Sequence, residues 1–419
     1  MARRVIRQSP GAKPEFFYGY IVVVAAFSIM VAIFGLYYCF GIFFDPVLLE
    51  FGWTRAMTSG AFSLSMVVYG LLNVAVGGLT DKFSPRMVVT LCGFLLGLGY
   101  LLMSQVSVVW QLYLFYGVII GAGMGGSFIA LLSSVARWFV KRRGMMTGIV
   151  MAGIGIGTLI GPPVASWLIS TYSWRVSYII LGSIVMVVVV LAAQFLRRDP
   201  TQVGQVALGG DEGEKQRPAL AMEGFSFREA TYTPQFWITF AMLLCFGFCL
   251  YAVLVHIAPH AIELEISTAN AASILATVGV MSILGKVMLG IAVDRIGGRQ
   301  GFIISFILVS AALFWLVPAT EMWQLYLFAA VFGFAYGGCA ACEAPLVAGL
   351  FGLRSHGLVL GVINLGFTIG GSVGPLMAGY IFDVTGSYQL AFLISAAVGI
   401  VGFILAAVLR PIRGAGSKV

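Results

Sequence analysis

From Tyr18 to Arg410 the chain is a succession of long apolar runs, each nearly free of charge. That pattern leaves few folds available. About 20 apolar residues cross a hydrocarbon core of about 30 Å as a helix, and in lipid only helices and closed barrels satisfy their own backbone groups. A barrel would show segments of about ten residues with alternating polarity, and this chain lacks that alternation. Twelve runs predict twelve transmembrane helices, at 18–44, 57–79, 86–105, 109–133, 144–170, 174–196, 234–258, 270–293, 299–319, 321–349, 356–382 and 387–410. Only 10% of the residues are charged, against about a quarter in soluble domains. The predicted fold class is an all-α integral membrane protein.

The basic residues give these helices a direction. Of 24 Lys and Arg, 21 fall before the first span, between spans 2 and 3, 4 and 5, 6 and 7, 8 and 9 or 10 and 11, or after the last. The positive-inside rule assigns that side, and both termini, to the cytoplasm. The net charge of +8 therefore reports orientation in a bilayer and gives no reason to expect a nucleic-acid partner. Arg55 and Arg175 fall in short loops on the far side, which leaves Lys286 as the one cation inside a span. The first run is too long for a signal-peptide core and is expected to remain as the first helix. Six cysteines all lie within spans, where they read as small packing residues and not as disulfides or metal ligands.

The hexamer WQLYLF occurs at 110–115 and again at 323–328. The same offset carries Gly77, Asp81, Lys82 and Arg86 onto Gly290, Asp294, Arg295 and Arg299. It also carries Gly144, Gly148, Gly157, Gly161 and Pro162 onto Gly357, Gly361, Gly370, Gly374 and Pro375. Several matches at one offset mark a duplication. The chain divides into a cytoplasmic N-terminus (1–17), a six-helix half (18–196), a central loop rich in charge, Gly and Pro (197–233), a second six-helix half (234–410) and a tail (411–419).

Two parallel six-helix repeats are the architecture of the major facilitator superfamily, whose substrates bind near the midplane between the halves. GGLTDKFSPR (77–86) and GIAVDRIGGR (290–299) resemble that superfamily's loop motif, the first copy having Ser84-Pro85 where glycine is usual. The resemblance implies gating and structural roles for Asp81, Arg86, Asp294 and Arg299 at the cytoplasmic helix ends. EFFYGYIVVVAAF (15–27) resembles the first-helix signature of monocarboxylate transporters, and WFVKRRGMMTG (138–148) their segment opening the fifth helix. FGWTRA (51–56) is similar to a turn of bacterial members and of oxalate/formate antiporters. Where animal relatives hold a lysine in the first helix this chain has Tyr38, and their eighth-helix Asp/Arg pair falls on Ser282 and Lys286.

A lysine within a membrane helix costs about 2.5–3.5 kcal/mol on insertion scales, so such residues face the protein interior and mark pathways. Lys286 lies eight residues before Asp294, about 12 Å of helix, too deep for its stem to reach water in full. We read it as the cation that meets a substrate carboxylate; an internal ion pair or a snorkelling lysine is the structural alternative. Glu343, the one acid placed within a span, has three readings: pairing with Lys286, carrying a proton, or latching onto Arg354. His256 and His260 share a helical face, but Pro259 intervenes and no third ligand is evident, so no metal is expected. Resemblance to bacterial relatives instead implies His256 as a hydrogen-bond donor or proton relay. Ser282, Asn364, Thr368, Tyr37 and Tyr38 complete the candidate substrate contacts, each with an interhelical hydrogen bond as the alternative.

The glycine runs in spans 4, 5 and 11 lie inside the membrane and read as packing surfaces, not phosphate loops. No nucleophile–base set appears, no cofactor is implied, and an enzyme is not expected. The expected function is a secondary transporter of a small monocarboxylate in a bacterial inner membrane, coupled to protons through His256, Glu343 or Lys286. The alternatives are an oxalate/formate-type antiporter, in which a second deep cation is expected, and a carboxylate receptor, for which no signalling domain is seen.

Overall fold

A computed structural model describes residues 17–79, 84–139, 143–206, 208, 224–352 and 355–410, without the side chains at 74–79, 129, 133, 136, 143, 144, 294, 356 and 357. The first half of the chain contributes α1 (Gly19–Tyr37), α2 (Phe40–Phe51), α3 (Arg55–Leu79) and α4 (Pro85–Met103). Its fourth crossing runs through α5 (Val109–Leu112), a π-helical stretch (Tyr113–Ile120), α6 (Gly121–Met124) and α7 (Ser127–Trp138). Helices α8 (Arg143–Thr171) and α9 (Trp174–Ala193) complete it. After the short α10 (Phe227–Thr231), the second half contributes α11 (Pro234–Glu263), α12 (Thr268–Ile296) and α13 (Gly298–Leu316). It closes with α14 (Met322–Phe351), α15 (His356–Thr385) and α16 (Gln389–Val408). Among the described residues ten helices are long and apolar enough to cross a membrane, α1 and α2 counting as one. The predicted all-helical membrane fold is the one observed.

Two crossings run farther than the apolar pattern suggests. The first ends at Phe51 and not 44, and the seventh at Glu263 and not 258. The apolar runs stop at Asp45 and His260, but the helices continue because those polar side chains lie inside the protein, 8% and 7% exposed. Arg55 corrects a sequence expectation for the same reason. It opens α3 and is 8% exposed, a buried residue and not part of a solvated loop.

The duplication is visible in the packing. In the first half α1 packs on α8, α4 on α9 and α3 on the π-helical stretch; in the second, α11 packs on α15, α13 on α16 and α12 on α14. The halves meet through α3 against α15 and α8 against α12. Repeated glycines set the closest approaches. A Cβ on Gly157 would stand 2.6 Å from the carbonyl oxygen of Val31, and one on Gly370 2.0 Å from that of Leu244, the repeat equivalent of Val31. Gly161 and Gly374 repeat the relation against Gly35 and Phe248, at 2.1 and 2.5 Å. Each pair lets two helix backbones touch, as small residues do in membrane helix packing.

The WQLYLF motif has a local explanation. Gln111 Oε1 accepts from the backbone N–H groups of Ser107 and Val108 (2.8 and 3.3 Å), and Gln324 Oε1 from those of Thr320 and Glu321 (2.9 Å each). Both glutamines thus satisfy donors that a helix start leaves without partners. Trp110 and Trp323 remain about 60% exposed on the outer wall, as expected of tryptophans at a membrane–water interface. Leu112 and Leu325 point inward and are buried.

Candidate substrate site

Lys286 lies within α12, ten residues before its end at Ile296. Its Nζ is buried and has no hydrogen-bond partner among the described residues. It stands 5.3 Å from the ring centroid of Tyr336 on α14, within cation–π range. Gly337 creates that proximity: a Cβ there would lie 2.1 Å from the Ser282 carbonyl oxygen and 2.8 Å from the backbone nitrogen of Lys286. Helix α14 can therefore rest on the backbone of α12, which brings the neighbouring Tyr336 ring to the ammonium group.

Tyr336 belongs to a cluster drawn from both halves. Tyr38 stands where the first crossing is interrupted between α1 and α2. Its hydroxyl interacts with those of Tyr336 and of Tyr251 on α11, and the Tyr38 and Tyr251 rings are 6.3 Å apart. Tyr251 is the repeat equivalent of Tyr38, so the duplication brings matching tyrosines together between the halves. Phe62, Phe246 and Phe367 pack around them, with centroids 5.5, 6.2 and 5.6 Å from Tyr251, Tyr336 and Tyr251 respectively. Lys286 also has a counterpart at this offset, Asn73 of α3. The Asn73 side chain lies near the Tyr69 hydroxyl, and its Oδ1 is buried without a partner among the described residues. Equivalent positions thus hold an unpaired donor and an unpaired acceptor, in structures where buried polar atoms are nearly always paired.

Other candidates are engaged elsewhere. The Ser282 and Thr368 hydroxyls donate to Gly279 and Leu365 carbonyl oxygens in their own helices, at 2.8 and 3.0 Å. Thr368 also packs against Gly70 of α3, at the contact between halves. Tyr37 turns into its own half, its hydroxyl 2.9 Å from Ser65 Oγ and its ring stacked on Tyr116. Glu343 is joined to Asn364, whose Nδ2 donates to its carboxylate. That bond links α14 to α15, and Glu343 makes no ion pair with Lys286. Arg354, its other possible partner, lies outside the described residues.

His256 is fully buried and sits toward the end of the bundle opposite the basic loops, here called the far pole. Its Nε2 is 2.9 Å from the Pro375 carbonyl oxygen and its Nδ1 3.1 Å from the Tyr388 hydroxyl. A carbonyl only accepts, so Nε2 carries the proton and Nδ1 accepts from Tyr388. Tyr388 in turn accepts from Arg55 Nη1 at 2.9 Å. The same guanidinium donates to Asp45 at 3.1 Å and to Glu263, and it lies 4.1 Å from the Phe382 centroid. Asp383 of α15 completes the cluster by accepting from the backbone N–H groups of Arg55 and Ala56, at 2.8 and 2.7 Å. His256 thus belongs to this far-pole cluster and not to the tyrosine cluster. His260 packs against Tyr388 and Phe392, and no metal-binding group of three or more His, Cys, Asp or Glu occurs among the described residues.

At the basic pole, Asp81 and the Asp294 side chain lie outside the described residues. Arg86 donates to Gln194 at 2.8 Å, and Arg299 to the Ala406 and Ala407 carbonyl oxygens at 3.2 and 2.6 Å. Each arginine ties the third helix of its half to the end of the sixth. Such bonds brace a half, and those of Arg299 also satisfy carbonyls at the C-terminus of α16.

Tyr251, Tyr336, Asn73 and the Arg55 cluster escaped sequence reasoning. The repeat offset carried signals for Tyr251 and Asn73, the equivalents of Tyr38 and Lys286. Nothing in the order of residues joins Arg55 to acids 208 and 328 positions away.

Two repeated six-helix bundles packed against each other through α3 and α15 and through α8 and α12 are the architecture of a membrane transport protein. The chain belongs to the Major Facilitator Superfamily, whose family model matches residues 25–288 and 259–419. It is 26% identical to monocarboxylate transporter 13 of Rattus norvegicus over 93% of this chain and 88% of that one. It is 27% identical to monocarboxylate transporter 11 of Homo sapiens, over 93% and 82%. It is also 27% identical to the uncharacterized MFS-type transporter YhjX of Escherichia coli (strain K12), over 74% and 76%. In fold it is similar to an inward-facing, unoccupied bacterial homolog of the human lysosomal transporter Spinster. That match has a TM-score of 0.72 and 18% identity, covering 95% of this chain and 97% of that one.

Proposed function

We propose that the protein carries a small monocarboxylate, of lactate or pyruvate type, together with protons by alternating access across a bacterial inner membrane. Both termini are cytoplasmic and the far pole faces outward in this reading. The observation that carries it is the buried Lys286 ammonium group, which has no partner among the described residues. An unpaired buried charge is costly, and a carboxylate against it would neutralise the site. Tyr38, Tyr251 and Tyr336 offer hydroxyls and apolar ring faces beside it, which suits a substrate with one charged end. The monocarboxylate transporters similar over nearly the whole chain support the same substrate class. A dicarboxylate would call for a second free cation, whereas buried Arg55 is already engaged by Asp45 and Glu263.

Uptake of labelled lactate, pyruvate and oxalate into proteoliposomes, with and without an inward proton gradient, tests the reading. Accumulation of the monocarboxylates driven by the gradient is expected, with at least about a tenfold loss in Lys286→Ala, as when a partner of a buried charge contact is removed. Oxalate uptake that requires preloaded formate would instead mark an antiporter. Binding without any uptake would mark a receptor.

A further inference from the structure

The acids of the far pole are not treated alike in the two halves. In the first half, Glu50 at the end of α2 accepts from Arg175 and from Trp174 Nε1, both at the start of α9. All three belong to one half. The repeat offset carries Glu50 onto Glu263 and Arg175 onto Tyr388. In the second half a phenol therefore replaces the cation, and Glu263 has no equivalent of Arg175 beside it. Its cation comes across the interface as Arg55.

Arg55 stands between two sets of partners. Asp45 belongs to its own half, one crossing earlier in the chain. Glu263, Tyr388, Phe382 and Asp383 all belong to the other half. The cross-half set includes the N-terminus of α3 itself, whose first N–H groups Asp383 caps from α15. Separating the halves at this pole removes that entire set at once. Asp45, which travels with Arg55, stays in place.

We propose that Arg55 is a partner-exchanging residue of the transport cycle. It clasps Glu263, Asp383 and Tyr388 when the far pole is closed, and it falls back on Asp45 when that pole opens. The substitution of Tyr388 for a resident cation is what makes Glu263 dependent on the opposite half. The clasp thus holds the closed state, while the Arg55–Asp45 pair keeps the guanidinium from being stranded in the open one. This inference rests on the fold and the far-pole geometry and is independent of the Lys286 reading.

The test is an electron–electron distance measurement on the full chain in lipid nanodiscs. Spin labels go on cysteines introduced at Tyr172 and Val384, which are 60% and 67% exposed beyond or at the far ends of α8 and α15. The six native cysteines are buried, and a sample without introduced cysteines measures their background. Arg55→Ala and Glu263→Gln are each expected to lower the ratio of closed to open populations by about tenfold or more, the scale of losing one member of a desolvated charge pair. Asp45→Asn should move the ratio the other way, because it weakens the open state more than the closed. Glu50→Gln, whose partners share its half, should leave the ratio within about twofold.

The proposal fails if Arg55→Ala and Glu263→Gln both leave the ratio unchanged, or if Glu50→Gln opens the pole as much as Glu263→Gln. It also fails if Asp45→Asn opens the pole, which would mark a static clasp without exchange. Should Arg55→Ala not fold, Glu263→Gln reads the same contact from a side chain that is one-third exposed.

Discussion

At Lys286 the chain bears the cost of a buried cation with no acid bonded to it among the described residues. Glu343 is engaged with Asn364 on the neighbouring helix, so charge on one group leaves the other uncompensated. Under the proposed function the two groups take separate tasks, anion contact for Lys286 and proton carriage for Glu343. Glu343→Gln keeps an acceptor for Asn364 while removing the titratable oxygen. In proteoliposomes it is expected to retain exchange of labelled monocarboxylate between the two sides but to reduce gradient-driven uptake to the rate seen without a gradient. Uptake that still responds fully to the gradient would move the proton to another group. His256 is the weaker candidate on geometry, since both ring nitrogens are already engaged by Pro375 and Tyr388.

At the level of helices, the glycines of α8 and α15 play the same part in both halves. Gly370→Ala would force a methyl group to within 2.0 Å of the Leu244 carbonyl oxygen, which belongs to backbone and cannot swing aside. Overpacking of that kind costs about 1–3 kcal/mol, so the detergent-solubilised protein should unfold at a lower temperature. Gly361→Ala in the same helix meets nothing within 4 Å and gains helix propensity of about 1 kcal/mol at most. Its melting temperature should match or exceed that of the wild type. Equal losses in both variants would mean that the α11–α15 contact does not limit stability. The glycine run was legible as a packing surface, but which glycines touch a backbone depended on the rotation of the helix about its axis.

Across the whole molecule, the two halves are joined by the contacts of α3 with α15 and of α8 with α12 and by the far-pole clasp. The central connection is anchored on both flanks. Gln205 Oε1 accepts from Tyr18 N–H (3.0 Å) and Leu208 N–H donates to the Trp138 carbonyl oxygen (3.0 Å), while Phe225 N–H donates to the Phe351 carbonyl oxygen (2.8 Å). Cutting the chain between these anchors, at a protease site inserted after Asp211, should therefore leave transport within about twofold, because association rests on buried helix surfaces and not on the connection. Loss of activity with both fragments still co-purifying would give the connection a role in the cycle.

The apolar runs by themselves determined that the chain is a helical membrane protein, how many times it crosses and where most helices lie, because the length of a hydrocarbon core is matched by a count of residues along the chain. The single offset that carries Trp110 onto Trp323 likewise determined the two-half architecture. It even held the correspondence of Tyr38 with Tyr251 and of Lys286 with Asn73. Tertiary structure alone decided that Arg55 is buried between acids of both halves, that His256 serves the far pole, and that Lys286 lies over Tyr336 with no partner among the described residues. Those facts depend on which face each helix turns toward its neighbours and on contacts between residues hundreds of positions apart, and hydrophobicity read along one dimension contains neither.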